Sequence, residues 1–261
     1  MPIADQDIYK TDQDRRHATL SKQLFSPKFM FYPRIFHIIW TNSRKAVRGD
    51  YDTAEWVKSS LDILRTLENA GVNIEITGMD NIRKVNGPAV FIGNHMSLLE
   101  TFLLPGIVQP VKPVTFIVKK SLLNTPVFGP IMRSRKPVAV GRKNPREDMK
   151  TVLEEGGKRL GSGESIIVFP QSTRSTVFDP ARFNTLGIKL ALRSGAPVIP
   201  LALKTDAWRT GRFIKDFGPL DTDKQVHFAF GGPMSITDRG ADEHRWIIRF
   251  IQEKLREWSN E

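Results

Sequence analysis

From Asn73 onward the sequence alternates short Val/Ile/Phe-rich runs with longer stretches of helical periodicity. No other feature narrows the fold as much. The runs are NIEIT (73–77), PAVFIG (88–93), PVTFIVK (113–119), PVAV (137–140), SIIVFP (165–170), PVIPLAL (197–203) and QVHFAFG (225–231). Continuous apolar runs of this length predict strands covered on both faces. Between and after them, helices are predicted near 98–105, 146–160, 184–194 and 241–258. This order gives an α/β domain with a mostly parallel or mixed central sheet flanked by helices. The 261 residues suffice for one such domain over 71–261, behind an N-terminal helical appendage over 23–70. Residues 1–22 are polar, carry Asp5, Asp7, Asp12 and Asp14, and are expected to fray. They lack the apolar stretch of a secretory leader.

In the appendage, Arg34, His37, Thr41, Arg44 and Arg48 recur at steps of three and four, which puts them on one helical face. Ile35, Phe36, Ile38, Ile39 and Trp40 cover the remainder. A basic face opposite an aromatic-rich one fits a helix lying in a membrane interface, and it equally fits a helix packed on a core. Pro27 and Pro33 start or break this element. A second helix is predicted over 54–69, ending at Gly71. No run of about 18 apolar residues occurs, so a spanning helix is not expected.

Charge and cysteine content bound the function. The net charge is +11 and is uneven: Lys112 to Lys150 hold ten Lys and Arg against Glu147 and Asp148, a local charge of +8. Such a patch attracts polyanions, whether nucleic acid, anionic lipid or phosphorylated small molecules. The stretch has no nucleic-acid motif and few aromatics for base stacking, which argues against nucleic acid. With zero cysteines there is no disulfide, thiolate nucleophile or thiolate metal site, which fits a reducing compartment. With five histidines, a metal site is poorly supported as well. No G-x-S-x-G elbow occurs, so a serine hydrolase is not indicated.

The chemistry-bearing candidates sit where buried strands end. In FIGNHMSLLETF, His95 follows one such strand and precedes a helix, at the edge where α/β sheets bind ligands. Within a single helix His95 and Glu100 would stand about 140° apart and could not meet. With the helix starting near Ser97, the ring can turn back to Glu100, and the carboxylate would fix the tautomer and raise basicity at Nε2. Alternatively, Ser97-Leu-Leu-Glu100 is a capping box and Glu100 only satisfies the helix start. In VFPQSTRS, a strand again ends in a turn offering amides, Ser172 and Thr173 hydroxyls and the Arg174 fork. That set suits an oxyanion or phosphate, or is an ordinary turn. Arg142 stands in the basic run GRKNPR, as an anion contact or as solvated surface.

Taken together, these blocks resemble the glycerolipid acyltransferases, best known from the 1-acylglycerol-3-phosphate acyltransferases. NHMSLLE is similar to that family's His-x4-Asp motif and FPQSTRS to its Phe-Pro-Glu-Gly-Thr-Arg-Ser block. KKSLLNTPVFGPIMRSRKPVAVGR resembles the middle block, with a lysine, a Pro-x-x-Gly pair (Pro126 and Gly129, read as turn formers) and a strand ending in arginine. PVIPLAL resembles the fourth block. The resemblance runs from about Asn73 to Leu203, in the family's order. The chain departs from the pattern at Glu100, where the family has aspartate, and at Gln171 and Ser172, where it has Glu-Gly.

The resemblance implies a glycerol-3-phosphate-acyltransferase-like fold. It also implies transfer of a fatty acyl group from acyl-CoA or acyl carrier protein to a lysolipid hydroxyl, 1-acylglycerol-3-phosphate first among them. Glycerol 3-phosphate or another lysolipid remains an alternative acceptor, and a non-catalytic lipid-surface protein an alternative function. It implies His95 as general base held by Glu100, with no metal and no cofactor. Arg142 and Arg174 would hold the acceptor phosphate, Lys119 or Lys120 would add charge, and Gln171, Ser172 and Thr173 would form the turn facing the headgroup. The enzyme would sit at a membrane on its cytoplasmic face, with the 23–70 segment as monotopic anchor and the +8 stretch toward anionic lipid.

Overall fold

The protein is described by a computed structural model, which covers residues 3–12, 27–171, 173–209, 211 and 218–260, with the backbone alone at 27–29. Its centre is an eight-stranded mixed sheet in the order β1-β2-β8-β7-β3-β6-β4-β5. The strands are β1 (Ile8–Lys10), β2 (Ile74–Thr77), β3 (Val90–Gly93), β4 (Val114–Lys119), β5 (Val138–Val140), β6 (Ser165–Val168), β7 (Val198–Lys204) and β8 (Val226–Phe230). β7, β3, β6, β4 and β5 run parallel. β8 opposes β7, β2 runs parallel to β8, and β1 opposes β2.

Side-chain alternation divides the interior into two cores. Phe91, Ile167, Ile199 and Leu201 enter one face of the sheet, while Val90, Ile92, Ile166 and Val168 enter the other. The first face is covered by helices Pro27–Arg48, Thr53–Asn69 and Leu99–Val108, through Phe31, Ile35, Ile39, Leu67, Leu103 and Ile107. The second is covered by Leu186–Ser194 and Ala241–Glu257, through Ile188, Leu190, Ile247 and Ile251. All seven expected strands form. The Thr53–Asn69 helix starts where Asp52 accepts the Glu55 N–H at 2.9 Å.

Several expectations need correction. Residues 3–12, expected to fray, are tied down: β1 pairs with β2, and Tyr9 and Thr11 hydrogen-bond the Glu68 carboxylate. The rest of the 1–22 expectation lies outside the described residues. Pro33 stands inside the 27–48 helix and does not end it. That helix does not divide into one basic and one apolar face. Ile35 and Ile39 are buried in the core, whereas Phe36 and Trp40 stack on each other outside it at 6.0 Å. The Pro-x-x-Gly pair is more than a turn, because Gly129 lies in a short helix, Phe128–Ser134. There a Cβ would come within 2.6 Å of the Leu123 carbonyl. The predicted 146–160 helix is interrupted by a π-turn at Val152–Gly156, where Gly156 packs against Leu190 and Ile166. The Met79–Arg83 helix had no sequence signal.

Candidate active site

Asn94 sets the position of its neighbour. Its side chain donates to the Leu203 carbonyl at 2.7 Å and accepts the Leu203 N–H at 2.8 Å, so it extends the β3–β7 pairing past the end of the strand. The chain then leaves the sheet at His95, on the C-terminal edge of the parallel strands. The His95 side chain keeps 15% exposure, and Glu100 below it has none.

His95 Nδ1 lies 2.8 Å from Glu100 Oε1. With a carboxylate as acceptor, Nδ1 carries the proton, and Nε2 presents its lone pair. The ring stacks on Phe169 at 4.5 Å and 6°. Glu100 also accepts the N–H groups of Met96 (2.6 Å) and Ser97 (3.0 Å), together with the hydroxyls of Ser97 (3.0 Å) and Thr205 (2.5 Å). It therefore does both things the sequence allowed: it satisfies the start of the Leu99–Val108 helix and it holds the imidazole. Burial pushes the Glu100 pKa up, but the hydrogen bond and charge of His95 and the bonds from Thr205 and Ser97 outweigh it, so the carboxyl titrates below its ordinary range.

The turn after β6 is stapled to this loop. The His95 N–H donates to Gln171 Oε1 at 2.7 Å, and the Ser175 N–H donates to the His95 carbonyl at 2.9 Å. Arg174 is thereby carried in a turn fastened to the histidine on both sides. Gln171 is 5% exposed, and its side-chain oxygen braces this loop. The Ser175 amide, one of the amides expected to meet an oxyanion, is already engaged. Thr173 is exposed and, with Gln171, Ser175, Val177, Asp179 and Arg182, lines a recess of about 240 Å³. Ser172 lies outside the described residues.

The remaining candidates share the sheet edge but come from other strands. Lys119 ends β4, exposed Lys120 follows it, and Arg142 follows β5. β5 is three strands from β3, about 14 Å away at ordinary strand spacing, so a ligand touching both His95 and Arg142 must bridge that gap. Arg142 has a left-handed backbone (φ 60°), and Asp148 clamps the loop by accepting the Gly141 and Arg142 N–H groups, each at 2.8 Å. The +8 stretch is not one open surface. Lys112 is buried and donates to the Val85 and Gly87 carbonyls, and Arg135 lies over the rings of Tyr51 and Trp56. Among the described residues, no group of three or more His, Asp or Glu could hold a metal. Sequence reasoning missed Phe169, Asp148 and Thr205. A stacking aromatic next to the turn was legible in principle, but the hydroxyl at the end of β7 carried no local signal.

Known proteins resemble this chain in sequence and in fold. The family described as Acyltransferase matches residues 73–204. The 1-acyl-sn-glycerol-3-phosphate acyltransferase of Pseudomonas aeruginosa is 28% identical over 201 residues, 76% of each chain. The coconut enzyme of that name is 30% identical over 148 residues, 53% of this chain and 47% of its own. The crystal structure of the 1-acyl-sn-glycerophosphate (LPA) acyltransferase from Thermotoga maritima superposes with a TM-score of 0.63 at 18% identity, over 95% of this chain and 98% of that one, and so shares the fold. The family match spans half of the chain and takes in His95, Glu100, Arg142 and Arg174 alike, and on that ground the chain belongs to the Acyltransferase family.

Proposed function

We propose that this protein moves a fatty acyl group from acyl-CoA or acyl carrier protein to the free hydroxyl of 1-acylglycerol-3-phosphate, in phospholipid biosynthesis. The observation that carries the reading is the His95–Glu100 pair, partly open to solvent and fastened to the turn that bears Arg174. His95 Nε2 takes the proton of the acceptor hydroxyl as its oxygen attacks the thioester carbonyl. The tetrahedral intermediate collapses, the C–S bond breaks, and the imidazolium returns the proton to the departing thiolate. No acyl-enzyme and no cofactor is required. A positioned base of this kind contributes on the order of 10²–10⁴-fold. Arg174, with Arg142 across the edge, supplies charge for the acceptor phosphate.

The acceptor lives in a membrane and the thioester arrives from water, so the reaction belongs at the boundary, on the cytoplasmic face. The 27–48 helix supports this. Phe36, Trp40 and Val47 are exposed beside Arg34, Arg44 and Arg48, while the opposite side is packed in the core. Among the described residues no helix is long and apolar enough to cross a membrane. The test is an acceptor panel with one labelled acyl-CoA: 1-acylglycerol-3-phosphate should be the best substrate. Preference for glycerol 3-phosphate or another lysolipid would reassign the acceptor, and no transfer to any would leave a lipid-binding protein.

A further inference from the structure

Glu100 is one methylene longer than the aspartate of the family pattern, and its carboxylate meets the residue that follows β7 as well as the residues just before its own helix. His95, Met96 and Ser97, which bind it, all belong to the loop that leads into its helix. Thr205 does not. It follows β7 directly, is fully buried, and donates its hydroxyl to Glu100 Oε2 at 2.5 Å, with Ser97 Oγ 3.1 Å away.

A glutamate has one more side-chain rotor than an aspartate, so its carboxylate has more freedom to swing and tilt away from the imidazole. Just before the Leu99–Val108 helix, the Met96 N–H holds Oε1 at 2.6 Å, the Ser97 hydroxyl holds Oε2 at 3.0 Å, and the Ser97 N–H lies 3.0 Å from Oε1 and 3.1 Å from Oε2. The Thr205 hydroxyl differs from these donors in coming from another element, so it ties Oε2 to the end of β7 and fixes the plane of the carboxylate. We propose that Thr205 is a positioning residue for acyl transfer: it pins Oε2 so that Oε1 stays aimed at Nδ1 of His95. This rests on the reading of His95 as the base. The hydroxyl has an electrostatic effect as well. A donor on Oε2 draws charge away from Oε1, and without it the carboxylate stabilises a protonated imidazole more strongly.

The experiment uses the full chain with labelled acyl-CoA and 1-acylglycerol-3-phosphate. Thr205→Val should lower kcat about tenfold or more, as expected for losing a hydrogen bond to a charged group, with both KM values within about twofold. The acid limb of its kcat/KM profile should move to higher pH. Thr205→Ser restores the hydroxyl and should bring kcat and the limb back to wild type. Should Thr205→Val not fold, Thr205→Ala carries the same expectation. Wild-type kcat and pH profile in the folded hydroxyl-free variant would overturn the proposal, as would a folded serine variant that rescues neither. Full turnover in His95→Ala would instead sink the base reading itself, so the two failures are distinguishable.

Discussion

Gln171 Oε1 accepts the backbone N–H of His95 at 2.7 Å, so a residue at which this chain departs from the family's glutamate holds the loop of its own base. Replacing it with alanine leaves a largely buried amide unpaired, which costs about 1–3 kcal/mol. Gln171→Ala should lower both the melting temperature and kcat. Gln171→Glu still offers an oxygen to the amide and should melt near wild type. An alanine variant that keeps wild-type kcat would show that the staple is dispensable.

Arg174 is expected to act on the acceptor. Arg174→Ala should raise the KM for 1-acylglycerol-3-phosphate about tenfold or more while the KM for acyl-CoA changes little, and lysine should restore only part of it because it cannot bind bidentately. Steady-state kinetics with each substrate varied in turn checks this. Equal effects on both substrates would place Arg174 elsewhere in the reaction.

The exposed aromatics of the 27–48 helix can be tested without removing the helix. Deleting it would strip Phe31, Ile35 and Ile39 from the core, at about 2 kcal/mol or more each, and unfold the domain. The double substitution Phe36→Ser with Trp40→Ser leaves that core intact. It should reduce co-sedimentation with anionic vesicles severalfold without changing the far-UV spectrum. Unchanged sedimentation would remove this face as the membrane contact.

His227 makes stability depend on pH. Burial lowers its pKa from 6.5 to about 4, with Glu75 partly opposing, and the ring stacks on Trp258 at 4.8 Å. Between pH 6.5 and about 4 the unfolded chain binds a proton that the folded chain refuses, so stability falls as pH falls through that window and then levels off. The full effect is about 3 kcal/mol. Glu100, whose pKa is depressed, adds a further loss as pH drops through its folded value. Urea unfolding across the window should show a slope that His227→Phe flattens, and an equal slope in the variant would assign it to other groups.

Some of this was legible in the sequence and some was not, for physical reasons. Most of the seven strands read from the sequence were legible because burial on both faces demands runs of Val, Ile and Phe, and His95 and Glu100 because both stand in one short stretch after β3. β1 was not, since Ile8-Tyr9-Lys10 is a largely exposed strand with no Val/Ile/Phe run, held by its pairing with Ile74–Thr77. Nor could the sequence divide the 27–48 helix, where Ile39 enters the core and Trp40, the next residue, does not. Thr205 is 105 positions from Glu100, and only the β3–β7 pairing brings them together.

The most direct test compares transfer of labelled acyl groups from acyl-CoA to 1-acylglycerol-3-phosphate by the wild-type protein and by His95→Ala of matching thermal stability. The expected result is turnover by the wild type and a loss of about 10²-fold or more in kcat for the variant, the range for a missing general base. Equal rates from the two proteins would contradict it.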